Sequence, residues 1–200
     1  MSRPRQDCHL TPDGDWAPGA GPRGAVRIWP YTQHWKYPVR VSEPGLLDPV
    51  NAFVVGAPPA RVIADLARVG WARPADGGMH RLWIGGWPRR MFDHVAIGTR
   101  ERRVHARLWP VGGGAVVATH DERLDMSKGK SAQPFPLSAG VPADIGSGRH
   151  VVLSWDSARE RLASALQELG YLALSPSAVV AEPGLRGVPG DGRIWRFSSP

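Results

Sequence analysis

Arg103, His105, Arg107 and Trp109 recur at every second position of GTRERRVHARLWP, residues 98–110. In an extended strand this spacing puts all four on one face, with Arg102, Val104, Ala106 and Leu108 on the other. Two guanidinium forks beside an imidazole could bind an anion, because arginine donates in pairs to phosphate or carboxylate. His120 and His150 fall in or beside two further apolar stretches, VVATHDER and GRHVVLSW. If these strands are neighbours, His105, His120 and His150 could converge. They would then serve as neutral metal ligands or as a general acid and base, with Asp121 next to His120.

Other candidates carry less. His94 follows Asp93 in MFDHVAIG, where a local contact in a loop is the expectation, and Asp156 precedes a helix that it could cap. VGGGAVVATH links two strands and has no GKS or GKT. SKGKSAQP has those letters but lacks the earlier glycine, and Pro134 and Pro136 stop a following helix. No nucleotide site is expected, and no cofactor. The single cysteine, Cys8, excludes an intramolecular disulfide and a thiolate zinc site, and its polar surroundings suggest a free thiol in a mobile tail.

The elements that would hold these side chains can be read from periodicity. LDPVNAFVVG is a short apolar strand, and APPARVIADLARVGW is a helix with prolines in its first turn, a stripe of Val62, Leu66 and Val69, and a Gly70 cap. The unit recurs in HVVLSWDSARERLASALQELGY, with Leu162, Leu166, Leu169 and Gly170, and with Ser157 and Glu160 spaced as a capping box. RRVHARLWP and GAVVATH form a hairpin about a glycine turn, YLALS is a strand, and GRIWRF ends the chain as a possible edge strand. The fold class read here is α+β: a mixed sheet with two helices on one face, in a ferredoxin-like two-unit arrangement with an extra strand. Residues 1–45 form a proline- and glycine-rich arm, 46–175 the domain and 176–200 a C-terminal tail. The aromatic content of AVRIWPYTQHWKYPVRV suggests that the arm packs against the domain.

The formal net charge of +7 is unevenly spread. Residues 81–107 hold seven arginines against Asp93 and Glu101, whereas residues 46–80 and 108–200 are each neutral. A local cationic excess favours an anionic ligand, an acidic protein or an anionic lipid surface. A solvated strand face is the plainer reading of the same run. The nine tryptophans are dispersed, which disfavours a nucleic-acid platform. No apolar run reaches the roughly 20 residues of a membrane span, and the N-terminus lacks a secretory apolar core. A cytoplasmic protein, peripheral to a membrane at most, is expected.

DPVNAFVVG with a helix ending GW, then RRVHARLWP, VVATHDER and GRHVVLSWDSARERL, taken in this order, resemble the LssY-type C-terminal domain. That bacterial family has no assigned molecular function, and the likeness covers about residues 46–171. Val104 stands where relatives carry one of two paired histidines, and AVVATHDER lacks their W-x-G. Some relatives carry the domain behind membrane segments, so the resemblance implies a fold and a membrane context but supplies no reaction. The leading expectation is a non-enzymatic module binding an anionic ligand, partner protein or headgroup surface through Arg103, His105, Arg107, Trp109, His120 and His150. The alternative is a metal-assisted or histidine-dependent hydrolase-like enzyme using His105, His120 and His150.

Overall fold

The computed structural model describes residues 7–34, 47–74, 80–99, 101–125, 149–185 and 188–200. In chain order these form β1 (Cys8–Leu10), β2 (Trp16–Pro18), β3 (Arg27–His34), β4 (Leu47–Pro49), β5 (Ala52–Val55), α1 (Pro59–Ala67), β6 (His80–Ile84), β7 (Trp87–Arg90) and β8 (Asp93–Gly98). They continue with β9 (Arg102–Val111), β10 (Gly114–Asp125), β11 (Arg149–Ser154), α2 (Asp156–Glu168), β12 (Leu172–Ala173) and β13 (Trp195–Ser198). One sheet runs β12-β13-β5-β10-β9-β8 with β11 also on β10, and the other runs β2-β1-β3-β6-β7 with β4 on β3. Among the described residues only β13 and β5 pair in parallel.

The β9–β10 hairpin is the spine of the first sheet. Gly112 and Gly113 both take positive φ, 55° and 78°, as a two-residue turn of the hairpin hand requires. Strict alternation then divides the side chains. Ala106, Leu108, Ala115 and Val117 pack with Val62 and Leu66 of α1 and with Leu162 and Leu166 of α2. Trp109, Val111, Val116 and Ala118 pack on the opposite face with Cys8, Trp16, Ile28 and Leu82 of the second sheet. Both helices therefore lie on one face, as expected, and the other face is covered.

The N-terminal arm supplies much of that cover, because its described part is β1 to β3. Trp29 and Tyr31 lie 5.2 Å apart as a tilted aromatic pair, while Trp35 and Tyr37 fall outside the described residues. Cys8 is not in a mobile tail. It is fully buried in β1, and burial pushes its thiol pKa far above the ordinary value.

The two β–α units end alike. The Gly70 and Gly170 φ angles are 87° and 85°, and the N–H groups of Trp71 and Tyr171 donate back to Leu66 and Leu166 carbonyls at 3.1 and 2.9 Å. This geometry satisfies carbonyls that a helix end would otherwise orphan. At the start of α2 the expected capping box is replaced. The helix begins two residues earlier, with Trp155 as its N-cap, and Ser154 Oγ accepts the Ser157 N–H at 3.0 Å.

Two features differ from the ferredoxin-like layout anticipated. β9 occupies one edge of β10 from Gly114 to Arg123, so β5 and β11 share the other edge end to end. Asn51 splices the gap between them. Its Oδ1 accepts from the Thr119 N–H at 2.9 Å, and its Nδ2 donates to the carbonyls of Thr119 at 3.0 Å and Trp155 at 3.3 Å. The C-terminal β13, moreover, lies between β12 and β5 and is not an edge strand. Arg159, buried in α2, holds the preceding loop by donating to Asp191 at 2.8 and 3.1 Å and to Asp156 at 2.7 Å.

Candidate functional site

The space between the sheets grades from apolar to polar along the hairpin. Nearest the turn it holds Val111, Trp109, Val116 and Ala118; two residues further out it holds Arg107, His105, Arg103, His120 and Glu122, all buried. Register explains the grouping. On β9 and β10, His105 faces His120 and Arg103 faces Glu122. On β8, His94 pairs with Arg107. From the second sheet β4 contributes Asp48, which is also buried.

These groups form a chain of charge-assisted bonds. Arg103 Nε donates to Glu122 Oε1 at 2.7 Å, and His120 Nε2 lies 2.9 Å from Glu122 Oε2. Arg107 Nη1 lies 3.0 Å from His120 Nδ1 and donates to Asp48 Oδ2 at 3.2 Å. Arginine can only donate, so His120 Nδ1 accepts and Nε2 carries the proton given to Glu122. Two guanidinium cations thus face two carboxylates, which is how buried charge is tolerated.

His105 is the exception. It is 2% exposed, yet neither ring nitrogen has a hydrogen-bond partner. Its Nδ1 stands 3.4 Å from Glu122 Oε1 without hydrogen-bond geometry. Burial, opposed by Glu122 and reinforced by Arg107, pushes its pKa from 6.5 down to about 2. The imidazole is therefore neutral at physiological pH, the state in which it donates a lone pair. One donor atom each from His105, His120 and Glu122 lie within 4.8 Å of one another. Ligands of a tetrahedral zinc stand about 3.3 Å apart, given bond lengths near 2.0–2.1 Å. The widest pair of donor atoms would close by up to about 1.5 Å to hold such an ion.

The expected site residues divide as follows. Arg103, His105, Arg107, Trp109 and His120 share one face, but the second sheet buries it, so the run is not a solvated strand face. Trp109 belongs to the apolar half, where its Nε1 donates to the Arg89 carbonyl at 3.3 Å. His150 lies on β11 opposite Leu124, and its side chain is outside the described residues.

Asp121 does not join His120. It sits on the helix face, accepting from Arg102 Nη2 at 2.9 Å and Ser157 Oγ at 3.3 Å. Adjacent residues of a strand point oppositely, so the carboxylate on the histidine's face is Glu122, two positions on. That parity was available in the sequence; the approach of Asp48 from another sheet was not. His94 lies on a strand rather than in a loop. It keeps its local contact, Nδ1 to Asp93 Oδ1 at 3.8 Å, and its ring centroid is 6.1 Å from that of His105.

Among the described residues no helix is long and apolar enough to cross a membrane. No family model, curated protein or solved structure matches the chain.

Proposed function

We propose that this protein is a metal-binding module in which His105, His120 and Glu122 hold a divalent transition ion, with zinc best suited to the imidazole and carboxylate donors. The observation that carries the reading is the buried, neutral and unpartnered His105 ring within ligand distance of His120 and Glu122. An orphaned buried polar group is costly, and a metal bond relieves it. Coordination through His120 Nε2 would move its proton to Nδ1, which would then donate to Asp48, 3.8 Å away, in place of accepting from Arg107. His94 lies in the same row of rings, its centroid 6.1 Å from that of His105.

The hydrolase-like reading shares His105 and His120 and adds His150. An anion on the Arg103–His105–Arg107 face would compete with Glu122 and Asp48 for both guanidinium groups, which favours the metal. We infer further that the chain is an LssY-type C-terminal-like domain. Support comes from the resembling stretches, which fall on β5, β9, β10 and β11–α2 of one sheet, and from the matched helix ends.

Metal analysis of the purified chain and thermal unfolding with zinc, EDTA or inorganic phosphate test the proposal. One zinc per chain, and a Tm increase that His105→Leu abolishes, are expected. No response to saturating zinc overturns it. A response to phosphate instead selects the anion reading.

A further inference from the structure

Six of the seven arginines of residues 81–107 lie among the described residues, in two groups. Arg103 and Arg107 are buried against Glu122 and Asp48, and Arg102 pairs with Asp121. Arg81, half-buried, and Arg89 and Arg90 lie on the β6–β7 hairpin. Arg89 and Arg90 are exposed. The β6–β7 hairpin thus packs Leu82 inward while Arg89 and Arg90 reach solvent.

The same hairpin carries exposed aromatic surface. Trp87 is 70% exposed and Phe92 53%, in a chain that fully buries Trp16, Trp71, Trp109 and Trp155. Trp87 follows the Gly85–Gly86 turn, where φ is 59° and 85° and no heavy atom lies within 4 Å of an added Cβ. The tip thus projects into open space. β7 is also the outer strand of its sheet.

We propose that the β6–β7 tip docks on an anionic phospholipid surface, with Trp87 seated at the headgroup level and Arg89 and Arg90 against lipid phosphates. An amphipathic indole favours the boundary between water and hydrocarbon, and basic residues add attraction to an anionic leaflet. Strand addition by an acidic peptide fits less well, because Pro88 lacks the N–H that an incoming strand would need. Single-stranded nucleic acid would use aromatics in a row along one face. Here Trp87 and Phe92 flank opposite ends of β7.

Co-sedimentation of the full chain with vesicles of phosphatidylcholine, alone or with about a quarter phosphatidylglycerol, tests the proposal, with a single-stranded oligonucleotide as comparison. Binding to the anionic vesicles only is expected, falling as salt rises from about 0.05 to 0.5 M. Arg89→Glu with Arg90→Glu should weaken it about tenfold or more. Trp87→Ser should weaken it while leaving the salt dependence in place. All three side chains are exposed, so circular dichroism should be unchanged. Equal binding to both vesicle types, binding to the oligonucleotide alone, no binding, or an unaltered double variant each overturn the proposal. None of these outcomes depends on zinc.

Discussion

His105 and His120 face each other across the β9–β10 ladder with ring centroids 5.4 Å apart, yet of the two rings Glu122 hydrogen-bonds that of His120 alone. Two histidines in one register thus have opposite roles: one is fully engaged in a charge network, and the other is buried without a partner. Their substitutions should behave in opposite ways.

His105→Leu, unfolded by urea in EDTA, should be as stable as the parent or more stable by about 1–3 kcal/mol, because an apolar group replaces an unsatisfied one. His120→Leu should lose a similar amount, since it strips a partner from both Arg107 and Glu122. A strongly destabilised His105→Leu protein would show that the ring has a partner after all.

Glu122→Ala should be the most damaging change in the polar half. It leaves the buried Arg103 without its 2.7 Å acceptor and deprives His120 of its own, and breaking a buried pair costs about 3–5 kcal/mol. Equilibrium denaturation measures this. Asp121→Ala, whose partner Arg102 is largely exposed, should cost much less, chiefly the Ser157 contact.

Asn51→Ala removes the splice between β5 and β11. The buried Thr119 N–H and carbonyl lose their partners together, so a loss of about 2–4 kcal/mol is expected. Hydrogen exchange at Thr119 should accelerate more than at Val117, which stays paired with β5.

Acid should release the C-terminal loop. Burial opposes ionisation of Asp191, but the Arg193 N–H, Arg159 and the Trp195 indole outweigh it and hold the carboxyl below its usual 3.8. A depressed native pKa gives stability that is present above the unfolded value and lost as pH falls through the native one. Exchange protection of the Arg193 amide should therefore collapse only below about pH 4, and Asp191→Asn should remove that dependence.

Much of this architecture was legible beforehand. Both helices, their glycine ends and the hairpin follow from apolar spacing and turn chemistry, which are local. The grouping of Arg103, His105, Arg107 and Trp109 followed from alternation alone. Its burial did not, because the cover comes from β1 to β3, β4, β6 and β7, weakly patterned segments far away in sequence. Glu122 was readable by parity but hidden behind the adjacent Asp121. Asp48 was not readable, since only the packing of two sheets brings it to Arg107. The charge excess is a count along the sequence, and which of its arginines enter the core follows only from the packing of the two sheets.

The lone thiol of Cys8 is sealed in the core between the two sheets. It is a built-in clock for the N-terminal cover: an alkylating reagent can reach it only when that cover peels back. The rate of labelling would time excursions that leave the central hairpin intact, and comparing it with global unfolding would show whether the two layers part separately or together.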